Sequence, residues 1–216
     1  MKIGVFDSGI GGEAVALSLK KHFPTAEFIT ISDPKNLPYG LKSNEEIIDI
    51  SRRAVRRLVD THCDVIVIAC NTASTIALPS LKESYPQQQF IGIEPMLMLA
   101  SERSTTKTIC VCATPATLAS ERYKKIKETI PGTKVIEPNC SDWAQMIEDN
   151  AINEARIARS LEAALKNGAD EIVLGCTHYH WIEELITKIA AHRARVIEPS
   201  EDLAKRIKQL IDPVQR

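Results

Sequence analysis

The chain has 216 residues, is 44% hydrophobic and 25% charged, and carries a formal net charge of −1. Such a length holds one large or two small domains, and such a composition is that of an ordinary globular protein. The near-neutral balance offers no polyanion-binding surface, and no apolar run is long enough to span a bilayer, so neither nucleic acid nor membrane is an expected partner.

The opening stretch MKIGVFDSG lacks the charged start and long apolar core of a signal peptide, so the expected location is cytoplasmic. There the six cysteines stay reduced, and none forms a C-x-x-C pair. Cys63, Cys110 and Cys112 read as small buried hydrophobes.

In chain order, short β-branched runs recur: KIGVF (2–6), EFITIS (27–32), DVIVIA (64–69), FIGIE (90–94), TICVCA (108–113), TKVIE (133–137), DEIVLG (170–175) and RVIE (195–198). Between them lie segments of helical period, such as 44–60 and 153–168, the second stopping at Gly168. Continuous apolar strands alternating with helices predict parallel sheets covered on both faces.

An internal repeat organises these elements. Asp64 to Cys70 aligns with Asp170 to Cys176 at an offset of 106, and Ile3 to Ser8 falls on Ile109 to Thr114 at the same offset. GIEP (92–95) is echoed by VIEP (196–199). The expected fold is α/β, with two pseudo-symmetric lobes, each a parallel four-stranded sheet flanked by helices. The first lobe is expected to take 1–97 and 200–216, with a C-terminal helix packing back, and the second 98–199.

In open parallel sheets, ligands sit outside the carboxyl ends of the strands. Cys70 and Cys176 both fall there, which predicts an active site in the cleft between the lobes with a thiol on either side. A reaction that inverts a carbon centre by moving a proton needs one base on each face, and an accessible thiolate can serve. Asn71 and Thr72 follow the first cysteine, and Thr177 and His178 the second, each at an expected helix start that favours an anion.

Other readings of these residues are open on the sequence. The thiols could be structural, or Cys70, Cys176 and His178 could bind zinc, although the usual structural spacings are missing. Asp7, in the glycine-rich turn FDSGIGG before a helix expected near Glu13, could be a helix cap. Tyr39-Gly40, in the loop stretch DPKNLPYG, could be a plain turn. Trp143 and Trp181 read as packing residues.

The blocks FDSGIGG, DPKNLPYG, ACNTAS and GCTHY, in this order and spacing, resemble the signatures of cofactor-independent glutamate racemases, within the aspartate/glutamate racemase superfamily. The resemblance covers nearly the whole chain. It implies that Cys70 and Cys176 are the catalytic pair, with Asp7 assisting the first thiol and His178 the second. It implies further that Glu148, eight residues after Cys140, is an auxiliary acid. The substrate contacts it implies are Asp7, Ser8, Tyr39, Gly40, Asn71, Thr72, Thr114, Thr117, Thr177 and His178. No metal and no pyridoxal phosphate are implied; a homodimer and a supply of D-glutamate for peptidoglycan are.

Two positions depart from the family pattern: Ala113 stands where glycine is usual, and His180 where proline is usual after Tyr179. A racemase of another acidic amino acid such as aspartate would use the same thiols. A non-catalytic acidic amino-acid binder would be expected to have lost a thiol or its helper, yet all four are present.

Overall fold

The computed structural model describes residues 1–197 and 200–211. Glu198 and Pro199, which close the VIEP echo, and residues 212–216 lie outside the described residues. The chain divides between Glu94 and Pro95 into two compact units, and the C-terminal helix belongs to the first.

The first unit runs β1 (Lys2–Asp7), α1 (Gly11–His22), β2 (Glu27–Ser32), α2 (Asn44–Val59), β3 (Val65–Ile68), α3 (Asn71–Ile76), α4 (Leu78–Ser84) and β4 (Phe90–Gly92). Its sheet has the order β2-β1-β3-β4, with all pairs parallel. Every residue of β3 is buried, and β1 is buried from Ile3 to Asp7, whereas the edge strand β2 is mostly exposed or half-buried. Strands covered on both faces read as unbroken apolar runs. Helix α2 opens on a capping box: the Ser43 hydroxyl accepts from the Glu46 N–H at 3.2 Å, and the Ser43 N–H donates to the Glu46 carboxylate at 2.9 Å. Its apolar face (Ile47, Ile50, Val55 and Leu58) is buried.

The second unit continues with α5 (Leu97–Arg103), β5 (Thr108–Ala113), α6 (Pro115–Ala119), α7 (Glu121–Glu128), β6 (Lys134–Ile136), α8 (Trp143–Glu148), α9 (Glu154–Lys166) and β7 (Glu171–Gly175). A 3-10 turn (Thr177–Ile182), α10 (Glu183–Ala190) and β8 (Arg195–Ile197) complete it. Leu97 is fully buried in this unit's core. Its sheet is parallel, in the order β6-β5-β7-β8. After α9, Gly168 takes a φ of 86°, the left-handed stop that glycine allows without strain. Helix α11 (Ser200–Ile211) returns to the first unit, where Leu203, Ala204 and Ile207 bury against Val15 and Leu19 of α1.

The repeat extends to the hydrogen-bond register. Ile3 pairs with Val65 and Ile66 with Phe90 in the first sheet; Ile109 pairs with Glu171 and Ile172 with Val196 in the second. Each pair maps onto its counterpart at the offset of 106 seen in the sequence. The aligned aspartates also share a task at the amino edges of the sheets. Asp64 accepts from the Lys2 N–H at 2.7 Å, and Asp170 accepts from the Ser104 hydroxyl at 2.6 Å and the Thr105 N–H at 2.7 Å. Burial would raise the Asp170 carboxyl, but these donors outweigh it and hold it well below the usual carboxylate range.

The departure at Ala113 is absorbed across the β5–β7 pair. Ala113 lies opposite Gly175, and a Cβ on Gly175 would sit 2.8 Å from the Ala113 Cβ. One member of the pair must lack a side chain, and here it is the residue before Cys176. Gly175→Ala is therefore expected to destabilise the protein by about 1–3 kcal/mol, and Ala113→Gly in the same chain to recover much of that. Urea unfolding of the two single variants and the double variant measures this coupling; additive losses would contradict it.

Candidate active site

In the first unit the site grows from the carboxyl ends of β1 and β3. Asp7 is the last residue of β1 and is fully buried. The Ile10 N-cap of helix α1, which begins at Gly11, makes no side-chain cap bond, and Asp7 stands three residues before it. The Asp7 carboxylate accepts from the Gly9 N–H at 2.8 Å. A Cβ on Gly12 would fall 2.6 Å from the Asp7 Cβ, so this glycine lets the helix start against the aspartate.

Cys70, one strand over, is 5% exposed and caps α3: its Sγ accepts from the Ala73 N–H at 3.4 Å and lies 3.4 Å from the Ser8 hydroxyl. Burial and then the Asp7 carboxylate push its thiol up to about 11, against the lowering effect of the Ser8 and backbone hydrogen bonds. The unliganded site therefore keeps Cys70 as a neutral thiol at neutral pH. Next to it, Asn71, Thr72 and Ser8 are buried, and neither polar atom of the Asn71 amide has a hydrogen-bond partner among the described residues. A buried amide without a partner is costly, and a polar ligand would relieve it.

Tyr39 is buried, Gly40 is half-buried, and together with Leu41 they form a short 3-10 turn. The Tyr39 hydroxyl donates to Asp33 at 2.7 Å, and Asn36 donates to the same carboxylate at 2.8 Å. Burial, then the bond to Asp33, raises the phenol and keeps it protonated. Asp33 is a residue that the sequence reading passed over. It follows the last residue of β2, much as Asp7 ends β1, and that strand-end position was the available signal.

In the second unit Cys176 is 7% exposed and stands at the head of the 3-10 turn after β7. Thr177 and His178 follow it and are buried. The Cys176 Sγ lies 3.7 Å from the His178 Nδ1, and the His178 Nε2 lies 2.5 Å from a Glu148 carboxylate oxygen. These three side chains form a row of thiol, imidazole and carboxylate. With Nε2–H donating to Glu148, Nδ1 is left to accept the thiol proton, and a protonated ring would face a thiolate. Glu148, the last residue of α8, is thus brought to the second cysteine by the fold.

Thr114 and Thr117, also buried, sit beyond β5. The Thr114 hydroxyl caps α6 by accepting from the Thr117 N–H at 3.3 Å, and the two hydroxyls lie 3.0 Å apart. His180 turns to α10, with Nδ1 3.7 Å from Glu183. Trp143 is fully buried, but Trp181 is 49% exposed. The expectation that Trp181 packs is corrected: the short turn sends Tyr179 inward and the residue two further on outward.

Each α/β unit carries a cysteine after the equivalent strand of its parallel sheet, with Asp7 and Ser8 near one and His178 near the other. The Asp/Glu/Hydantoin racemase family model matches residues 13–207, and the chain belongs to that family. A glutamate racemase of Sulfurovum sp. is 36% identical over 98% of this chain and 83% of its own length. Another, of Lactobacillus helveticus, is 36% identical over 94% and 78%. The crystal structure of glutamate racemase from Francisella tularensis in complex with D-glutamate matches with a TM-score of 0.84 and 31% identity, over 99% of this chain and 82% of that one.

The raised Cys70 thiol has a measurable sign. Alkylation of Cys70, followed by peptide mass spectrometry, is expected to speed up about tenfold per pH unit from 7 to 10. Asp7→Asn removes a charge that opposes the thiolate, so at a given pH it should quicken alkylation. A slower reaction in that variant would contradict the electrostatic account.

Proposed function

We propose that this chain interconverts L- and D-glutamate by proton transfer at the α-carbon, with Cys70 and Cys176 as the two bases. The observation that carries the reading is the pairing of equivalent strand ends: each unit offers one thiol with its own helper, in a member of the Asp/Glu/Hydantoin racemase family. The glutamate racemases that it matches along nearly its whole length point to glutamate as the substrate.

Starting from D-glutamate, the Cys70 thiolate takes the α-proton and Cys176 gives its thiol proton to the opposite face, forming the L isomer. Cys70 is then a thiol and Cys176 a thiolate, which is the state ready for L-glutamate. Cys70 is held as a thiol at rest, so the D direction needs a proton to leave it as substrate arrives. Asp7 is the local acceptor for that proton, which removes the charge that opposes the thiolate, and the positive substrate ammonium favours the thiolate left behind. On the other side, His178 takes or returns the Cys176 proton, and Glu148 holds the ring in the tautomer that can do so.

The carbanion-like state needs donors already in place. Ser8, Asn71 and Thr72 supply them in the first unit, and Thr114, Thr117 and Thr177 in the second. Tyr39 and Gly40 shape the wall beside Cys70. No step is assigned to a metal or an added cofactor. On this reading the enzyme is a cytoplasmic homodimer that provides D-glutamate for peptidoglycan. No helix among the described residues is long and apolar enough to cross a membrane.

Proton NMR of L- and D-glutamate in deuterated buffer, with both aspartates in parallel, tests the reading. Loss of the α-proton signal from both glutamate isomers is expected. Exchange confined to aspartate would replace the substrate, and none at all from folded, reduced protein would favour a binding protein. Cys70→Ala and Cys176→Ala should each lower racemisation by roughly a hundredfold or more, and Glu148→Gln by roughly tenfold. A Cys→Ala variant racemising at the parent rate would end the two-base mechanism.

A further inference from the structure

Two aromatic side chains share the buried core that holds Cys176. Tyr179 and Trp143 are fully buried, with ring centroids 5.2 Å apart in an edge-to-face arrangement. Tyr179 follows His178 in the 3-10 turn, and Trp143 opens α8, the helix that ends at Glu148. One backbone carbonyl joins the two elements. The Cys140 oxygen accepts the Tyr179 hydroxyl at 3.0 Å and the Trp143 backbone N–H at 3.2 Å. The Tyr179 N–H in turn donates to the Cys176 oxygen at 3.0 Å, so one residue ties both ends of the connection.

We infer that Tyr179, seated on Trp143 and the Cys140 carbonyl, is a positioning residue that sets the reach between His178 and Glu148 and so tunes the Cys176 base. The inference rests on the two-base reading. A short carboxylate–imidazole bond depends steeply on distance, and its partners ride on separate elements. The Tyr179–Cys140 bond and the ring contact fix those elements to each other. Burial raises the Tyr179 phenol well above its ordinary value, so its hydroxyl stays protonated as a donor. The Trp143 indole N–H has no hydrogen-bond partner among the described residues, so Trp143 acts through its ring.

Tyr179→Phe removes one hydroxyl and keeps the ring. It is expected to lower kcat about three- to tenfold, the effect of one buried hydrogen bond, with the KM for glutamate changed less than twofold. A loss of general stability would give the same fall, so the isotope effects decide. If the Cys176 step alone is slowed, it becomes more rate-limiting. With α-deuterated substrate, the primary effect should then rise from L to D, where Cys176 abstracts, and fall from D to L, where Cys70 abstracts.

Ile109→Val, in the other buried cluster of the same unit, is the stability control and should leave both isotope effects at parent values. Trp143→Phe keeps an aromatic ring, shortens its reach and should shift the isotope effects in the same sense as Tyr179→Phe. Unchanged or equally changed isotope effects in Tyr179→Phe, from folded protein, would overturn the positioning role while leaving the two-base reading intact. A parent protein that fails to racemise glutamate would instead overturn that reading.

Discussion

A parallel strand delivers its last side chain to the carboxyl edge of its sheet, where the ladder of hydrogen bonds stops and the following helix begins. The candidate site hangs on that constraint. Asp7 ends β1, Cys70 follows β3, Thr114 follows β5 and Cys176 follows β7. Each is buried by the apolar layers that the sheets require. Polar chemistry is thereby placed in a dry setting without breaking either core.

The two units surround their equivalent cysteines with different chemistry. Cys70 has a buried carboxylate and a hydroxyl beside it, and burial together with the Asp7 charge keeps it a neutral thiol. Cys176 has an imidazole backed by a carboxylate. The backbone registers remain equivalent while the helpers diverge. A duplicated scaffold preserves geometry because the strand ladders impose it, whereas side chains at the strand ends are under no such demand.

Much of the architecture is legible in the chain. The eight apolar runs, the two long helical segments and the offset of 106 lead to two four-stranded parallel sheets, because central strands covered on both faces have no polar alternation to obscure them. The two thiols stand out because strand-end position follows from the same runs. Other features are opaque in one dimension. Glu148 is 28 positions before Cys176 in the chain, and only the family resemblance, not its local pattern, marks it. Asp33 sits in a stretch whose prolines announce only a loop. Trp181 looks like core by its residue type and faces outward because a 3-10 turn of six residues presents successive side chains to different sides.

The sequence by itself determined the sheets, their parallel sense, the duplication and the strand-end thiols, since these follow from hydrophobic period and repeat spacing alone. The tertiary structure decided which groups surround each thiol. Only packing brings the Glu148 carboxylate to His178, seats Tyr179 on the Cys140 carbonyl, sets Asp33 under the Tyr39 hydroxyl and leaves the Asn71 amide without a partner among the described residues. Hydrogen bonds between groups distant in the chain depend on ångström-scale placement, which no local periodicity encodes.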